Sequence, residues 1–139
     1  MDSQIVAPSF KELYDKYLKA FNDHSIEGVN ACLSPNLEIF IRGKLVAQAP
    51  AQWDQMKKSY QEHWALPNCR VTIDYLDEWW DAEKKEGGVQ GKLIDWPRAK
   101  LMEVKYTYGL EGDEWLQKRH EIGQVVDYDV NSGSRPSDS

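Results

Sequence analysis

In the first part of the chain, two helix-capping signals each precede residues that predict a helix, and the first is followed by apolar residues at helical spacing. Ser9 and Glu12 form a capping box, in which each side chain accepts a hydrogen bond from the backbone N–H of the other residue. The apolar positions nearby recur every three or four residues and share one helical face: Phe10, Leu13, Tyr14, Tyr17, Leu18 and Phe21. The pattern predicts a first helix that ends near Asp23 and a short second helix from the cap Ser25 to about Ala31.

Two strands and a third helix are predicted next. Residues 34–36 (SPN) favour a turn, residues 37–42 (LEIFIR) alternate as a strand, and a glycine leads into a second strand over residues 44–47. Between Pro50 and Pro67 the aromatic and apolar residues return to helical spacing, which predicts a third helix with this stripe: Trp53, Met56, Tyr60, His63 and Trp64.

The second half of the chain shows the period of strands. Strands are predicted over residues 70–80, 89–96, 100–108 and 115–128, with turns at residues 84–88 and 109–113. Helices followed by an antiparallel meander predict an α+β fold rather than a wound parallel sheet. Neither GxGxxG nor GxxxxGK occurs, which disfavours the nucleotide-binding folds that use these loops.

The length of 139 residues fits one domain. We expect a flexible leader over residues 1–8 and a single α+β domain over residues 9–130. Residues 131–139 (NSGSRPSDS) are small and polar, so a disordered tail is expected there.

Charge and residue usage exclude several classes of function. A net charge of −6 argues against non-specific nucleic-acid binding, which needs a basic face, and more weakly against binding to an anionic membrane. No apolar run approaches the roughly 20 residues that span a bilayer, and the start lacks the basic region of a secretory signal, so a cytoplasmic protein is expected. The two Cys and three His match no metal or disulfide spacing, so no metal site is expected.

Aromatic residues are unusually frequent, with six Trp, seven Tyr and three Phe. Large rings can simply fill the core of a small domain. They can also line a pocket for a flat or polycyclic ligand, and the two interpretations are compatible.

Three passages together with the element order resemble the nuclear transport factor 2-like superfamily, which includes the SnoaL-like cyclases. Residues 20–25 (AFNDHS) and 33–37 (LSPNL) resemble its opening of a helix, a small helix and a strand. Residues 41–43 (IRG) stand where the first strand turns, and residues 111–115 (EGDEW) followed by 119–121 (RHE) resemble its turn into the last strand. The resemblance covers about residues 9–128.

The resemblance implies a sheet curved into a cone, with helices packed on it and a ligand cavity beneath the first helix. It implies a cofactor-independent isomerase or cyclase that uses acid–base catalysis on a small, largely apolar secondary-metabolite intermediate. Small fungal natural-product isomerases of this superfamily are close in length, lack a cofactor and often form dimers, so a homodimer with a small-molecule substrate is expected. The alternative is a non-catalytic ligand-binding or scaffold protein of the same fold. A third hypothesis is a protein–protein adaptor that exposes a patch of tryptophans: Trp79, Trp80 and Trp96.

The chain departs from two patterns of the superfamily. The position of the ketosteroid isomerase base is occupied by Phe40 or Arg42 rather than Asp. The His/Asp constellation of scytalone dehydratase is not evident in the sequence. Both activities are therefore disfavoured in their known form.

Candidate catalytic residues follow from strand alternation and the resemblance. Tyr106 shares an apolar face with Tyr108 and could donate a hydrogen bond to a substrate oxygen, or could simply pack. His120 and Glu121 point to opposite faces of the last strand. The resemblance places a catalytic acid or base at this end, and Glu121 is slightly preferred. Arg42 could bind an oxyanion, pair with Glu121, or remain a surface side chain.

Candidate substrate-binding residues come from the first and third helices and from inward strand positions. Tyr75 and Asp77 follow Val71 and Ile73 in register and are expected to face inward near the mouth of the cavity. The predicted set is Tyr17, Phe40, Trp53, Tyr60, Tyr75, Asp77, Trp80 and Tyr108.

Overall fold

The computed structural model describes residues 6–130. Residues 1–5 of the predicted leader and the predicted tail at residues 131–139 lie outside the described residues. The helices are α1 (Phe10–Asn22), α2 (Ile26–Asn30) and α3 (Trp53–Trp64). The strands are β1 (Leu33–Ile41), β2 (Lys44–Gln48), β3 (Val71–Asp81), β4 (Glu86–Asp95), β5 (Lys100–Glu111) and β6 (Glu114–Asp127).

The six strands form one curved, unclosed sheet in the order β2-β1-β6-β5-β4-β3. Strands β1 and β6 pair in parallel, and every other neighbouring pair is antiparallel. The predicted α+β class, with a curved sheet and three helices of the N-terminal half, is confirmed. Within residues 6–130, no helix combines the length and apolar character that a membrane crossing requires.

The hydroxyls of both predicted cap residues accept a hydrogen bond from the first turn of their helix. The Ser9 hydroxyl accepts a hydrogen bond of 3.2 Å from the Glu12 backbone N–H, and the Ser25 hydroxyl accepts one of 3.0 Å from Gly28. These contacts satisfy N–H groups that the first turn of a helix cannot pair internally. The α3 helix starts at Trp53 without a side-chain cap, three residues later than the expected start at Pro50.

Strands extend into segments that the sequence assigns to turns. Strand β4 begins at Glu86 inside the predicted turn 84–88, and β5 continues to Glu111 inside the predicted turn 109–113. The second reversal is made by Gly112, whose φ of 64° favours glycine. Residues 34–36 belong to β1 rather than to a separate turn. Backbone pairing between β4 and β5 therefore outweighs the local turn preference of Gly87, Gly88 and Gly109.

Helix α1 lies against the concave side of the sheet and supplies much of the core. Its buried face carries Phe10, Tyr14, Tyr17 and Phe21. Near the start of the helix the sheet approaches so closely that a Cβ on Gly87 would lie 2.6 Å from the Phe10 ring. This position accepts only a residue without a side chain unless the ring shifts.

Two irregularities reverse which residues face the concave side. In β3 the pairing moves from Ile73 with Leu93 to Tyr75 with Lys92, so Asp74 is an extra residue. Strand residues beyond such a bulge exchange faces because side chains alternate with a period of two. Leu76 is therefore buried, whereas Tyr75 is 50% exposed.

The second irregularity lies in β6. The β5–β6 pairing moves from Thr107 with Arg119 to Tyr108 with Gln117, which leaves Lys118 as the extra residue. Gln117 and His120, three positions apart, consequently both point to the concave side and are both buried.

Asn22, at the end of α1, hydrogen-bonds both backbone groups of Val71, the first residue of the edge strand β3. Its side-chain amide donates to the Val71 carbonyl at 2.8 Å, and its carbonyl oxygen accepts from the Val71 N–H at 2.9 Å. The side chain thus pairs with the strand as a neighbouring strand would, which ties the helix to the sheet.

We expect Asn22→Ala to lower the free energy of unfolding by about 2 kcal/mol, because two partly buried hydrogen bonds are lost at roughly 1 kcal/mol each. Urea denaturation measures the change. Asn30→Ala, at an exposed position of α2, is the matched control and should change stability by less than about 0.5 kcal/mol. Equal effects of the two substitutions would contradict this role of Asn22.

Candidate functional site

A cavity of about 550 Å³ lies between α1, α3 and the concave side of the sheet. Its size falls in the range of sites for drug-sized ligands. Aromatic rings dominate the wall, and thioethers and aliphatic groups fill much of the remainder: Tyr14, Tyr17, Phe21, Tyr60, Tyr106, Leu18, Ile39, Met56, Leu93 and Met102. The exposed side chains of Gln55, Ser59, Glu62 and Arg98 mark the side that opens to solvent.

A histidine and an aspartate meet at the cavity wall. His63 Nε2, in the last turn of α3, lies 3.1 Å from Asp95 Oδ1 at the end of β4. The Asp95 side chain is only 2% exposed, and its second oxygen lies 3.7 Å from Arg98 Nη1. The His63 and Phe21 rings pack at an interplanar angle of 61°, with 5.2 Å between the ring centroids. Helix, strand and aromatic neighbour together fix the orientation of this imidazole.

The hydrogen bond to Asp95 determines which nitrogen of His63 is free. A carboxylate oxygen accepts, so Nε2 is the nitrogen that donates. In the neutral ring Nδ1 then keeps its lone pair. An imidazole oriented in this way by a carboxylate is suited to receive a proton from a ligand.

A second imidazole lies deeper in the same cavity. His120 is 5% exposed, and burial lowers its pKa to about 3, so the ring is neutral at ordinary pH. Its Nε2 lies 2.5 Å from Gln117 Oε1, and Gln117 Nε2 donates a hydrogen bond of 2.8 Å to the Tyr108 hydroxyl. The ring centroid of Tyr106 lies 4.5 Å from that of His120.

Phenols supply most of the polar atoms of the inner wall. The hydroxyls of Tyr17 and Tyr60 lie 2.9 Å apart and share a hydrogen bond. Burial raises the pKa of both groups, and that of Tyr14 and Tyr106, above the ordinary tyrosine value. These side chains therefore remain protonated and uncharged, and can donate hydrogen bonds to an occupant.

Four predicted site residues line the cavity: Tyr17, Tyr60, Tyr106 and His120. The structure reverses the slight preference for Glu121 over His120. His120 pairs with Ile39 in the neighbouring strand, and both line the cavity. Glu121 alternates to the convex side of the sheet.

Arg42 and Phe40 do not reach the cavity. Phe40 pairs with Glu121 across β1 and β6, which places it on the convex side. Arg42 occupies the tight turn between β1 and β2 with a φ of 52° and is exposed. Neither side chain lines the cavity, so the structure corrects the expectation that Arg42 binds an oxyanion there and that Phe40 contacts the substrate.

The remaining predicted ligand contacts also lie elsewhere. The extra residue Asp74 turns Tyr75 and Asp77 to the convex side, contrary to the expected register. Trp80 stacks on Phe10, with 6.1 Å between the ring centroids, beyond the end of the cavity.

Tyr108 and Trp53 belong to the packing around the cavity. Tyr108 is 1% exposed and lies behind the wall, where its hydroxyl meets Gln117. Trp53 packs partly buried against the core without lining the cavity.

His63, Asp95 and Gln117 are site residues that were not predicted from the sequence. Asp95 follows the apolar pair Leu93 and Ile94, and a charged residue at the end of such a run is a usable signal. His63 stands in an aromatic stripe that also predicts a core position. The partners are 32 residues apart on different elements, so no spacing motif connects them.

Over residues 6–130, no three His, Cys, Asp or Glu side chains gather closely enough to hold a metal ion.

The depressed pKa of His120 predicts a pH-dependent loss of stability. The native ring binds a proton only near pH 3, whereas the unfolded ring binds it near its ordinary pKa of 6.5. As the pH falls from about 7 to about 5, the unfolded state alone is protonated, and wild type should lose about 2 kcal/mol relative to His120→Gln.

Urea unfolding at each pH measures this difference. The His24→Gln variant, which removes an exposed imidazole, is the matched control. Parallel pH dependences of wild type and His120→Gln would refute the burial of a neutral ring.

No protein-family model matches this sequence, and no curated protein matches it significantly. An uncharacterised protein with a cystatin-like fold from Caulobacter vibrioides matches with a TM-score of 0.66 and 14% identity, over 86% of this chain and 89% of that one. A protein from Novosphingobium aromaticivorans proposed to be a scytalone dehydratase matches with a TM-score of 0.62 and 14% identity, over 91% of each chain.

A nuclear transport factor 2-like protein with a cystatin-like fold, also from Novosphingobium aromaticivorans, matches with a TM-score of 0.61. Its identity is 12%, over 81% of this chain and 77% of that one. Likenesses at such low identity establish architecture and leave function open. The chain has the cystatin-like α+β fold of nuclear transport factor 2-like proteins.

Proposed function

We propose that this protein is a cofactor-independent isomerase or cyclase that moves protons on a small, largely apolar intermediate of secondary metabolism. The observation that carries the proposal is the His63–Asp95 pair at the wall of an aromatic cavity. Acid–base catalysis of this kind requires an oriented base, a donor for developing negative charge and a site with little water. The described cavity offers a candidate for each.

His63 is the proposed base. With Nε2 held by Asp95, its Nδ1 lone pair removes a proton from a carbon next to a substrate carbonyl. The electron pair of the broken C–H bond forms a C=C bond to the carbonyl carbon, and the carbonyl π pair moves to the oxygen, where negative charge develops. In a substrate whose next carbons carry a C=C bond, this intermediate is a dienolate, and return of the same proton to its far carbon completes an isomerisation without any co-reactant. Asp95 stabilises the imidazolium that exists between the two transfers.

The paired phenols of Tyr17 and Tyr60 are the proposed donors to that oxygen. In the pair, one hydroxyl donates to the other, which leaves one hydrogen for the substrate. Because their raised pKa values keep both phenols protonated, the donor is available over the whole ordinary pH range. A hydrogen bond in this partly enclosed wall is stronger than one in water.

The fold is compatible with this chemistry and does not decide it. One structural neighbour is proposed to be a scytalone dehydratase, and others have no known function. A non-catalytic ligand-binding or scaffold role is the alternative, and the tests below separate the two. The homodimer and the small-molecule partner remain part of the proposal.

We expect His63→Gln to reduce kcat/KM roughly 100-fold in a general-base assay, because the proton acceptor is removed. The probe is 5-nitrobenzisoxazole. Loss of its ring C–H proton breaks the N–O bond and leaves the electron pair on a coloured phenolate. His24→Gln is the matched control, since its ring is exposed and stacks on Trp64 outside the cavity wall. Equal rates for both variants and wild type would exclude His63 as the base.

We expect Asp95→Asn to lower kcat in the same assay by roughly 100-fold, because an amide can donate to Nε2 and place the hydrogen on Nδ1 instead. Circular dichroism checks that the variant is folded. A folded variant with the wild-type rate would remove Asp95 from the mechanism. Ligand binding to wild type without any turnover would favour the binding role over catalysis.

A further inference from the structure

A chain of three buried side chains lies behind the cavity wall and takes no part in the mechanism above. It runs from Tyr108 through Gln117 to His120, and these side chains are 1%, 0% and 5% exposed. A buried amide usually finds partners because each unpaired polar group costs roughly 1–3 kcal/mol. Gln117 has one partner for its amide nitrogen and one for its oxygen.

The directions of the two hydrogen bonds assign the hydrogen on the imidazole. Gln117 Nε2 donates to the Tyr108 hydroxyl at 2.8 Å, which turns Oε1 toward His120. An amide oxygen only accepts, so His120 Nε2 carries the hydrogen of the neutral ring. Its Nδ1 is then an acceptor with a free lone pair.

The surroundings hold the imidazole in place. The Tyr106 and Tyr17 rings meet it at steep interplanar angles, with centroids 4.5 Å and 5.9 Å away. The extra residue in β6 brings Gln117 to the same side of the sheet as His120, within hydrogen-bonding distance. The ring lines the cavity, so its remaining nitrogen is the one available to an occupant.

We propose that Gln117, held by Tyr108, is a positioning residue that fixes His120 as a hydrogen-bond acceptor, so that the cavity selects an uncharged ligand with a hydroxyl at its buried end. The inference rests on the proposed function only in taking this cavity as the ligand site. The two imidazoles then have different roles, because His63 transfers the proton and His120 orients the ligand. The predicted ligand class is a neutral, aromatic or alicyclic alcohol or phenol.

The consequence is discrimination between donors and acceptors of a hydrogen bond. A phenol can donate to Nδ1, whereas its methyl ether offers only lone pairs and faces another acceptor. We expect wild type to prefer the phenol roughly tenfold, the usual effect of one hydrogen bond. Without Gln117 the imidazole can place its hydrogen on either nitrogen, so the preference should fall to about threefold or less.

The first measurement is nitrogen-15 NMR of histidine-labelled full-length protein, which reports the nitrogen that carries the hydrogen. Wild type should show His120 as a single form protonated on Nε2. Gln117→Met, which keeps the length of the side chain but removes both partners, should show a mixture of forms. Tyr108→Phe is a milder variant that removes only the hydroxyl that orients the Gln117 amide, and it should show the same mixture of forms. It takes the place of Gln117→Met in the test if that variant fails to fold.

The second measurement is calorimetric titration of each variant with 4-phenylphenol and 4-methoxybiphenyl. If Gln117 has a purely structural role, Gln117→Met weakens the binding of both ligands equally and leaves the ratio of their dissociation constants unchanged. That result would overturn the proposal. Hydrogen on Nδ1 in wild type would overturn it as well, because the amide would then be reversed. Failure of wild type to bind 4-phenylphenol would overturn the proposed ligand class.

Neither measurement depends on turnover. If Gln117→Met loses the preference for the phenol while His63→Gln keeps the wild-type rate, this inference is supported and the proposed reaction is refuted.

Discussion

The packing of α1 across the concave side of the sheet is the contact on which both the core and the cavity depend. Four aromatic side chains on one face of α1 are buried there. At Phe10 the contact is so close that the facing strand carries Gly87. Farther along the helix, Tyr17 and Phe21 meet Tyr60 and His63 of α3, and a space of about 550 Å³ remains between them and the sheet.

The same burial sets the electrostatics of the site. Tyrosine hydroxyls and one imidazole of the wall stay uncharged because transfer from water disfavours their ionised forms. Glu62, Asp95 and Arg98 are the carboxylates and guanidinium among the described lining residues. A ligand in this cavity meets neutral donors and acceptors on one side and the His63–Asp95 pair on another. The inner wall therefore offers hydrogen bonds, whereas the charged side chains of Glu62 and Arg98 lie on the side that opens to solvent.

Local signals predicted the helices and the class of fold, because each signal acts within a few residues. The caps Ser9 and Ser25 and the apolar face of α1 required no knowledge of distant contacts. The predicted site residues divide into those that line the cavity and those that do not. Tyr17, Tyr60, Tyr106 and His120 line the cavity, whereas Arg42, Glu121, Tyr75 and Asp77 were assigned by uninterrupted alternation or by resemblance and lie elsewhere.

The sequence by itself determined the element types, the aromatic face of α1 and the absence of common cofactor motifs, because composition and periodicity are properties of neighbouring residues. The tertiary structure alone decided which polar groups meet. The extra residues Asp74 and Lys118 exchange the faces of β3 and β6, and nothing in their local sequence announces a bulge. The His63–Asp95 contact joins a helix residue and a strand residue that are 32 positions apart in the sequence, so it exists only because both elements pack against the same core.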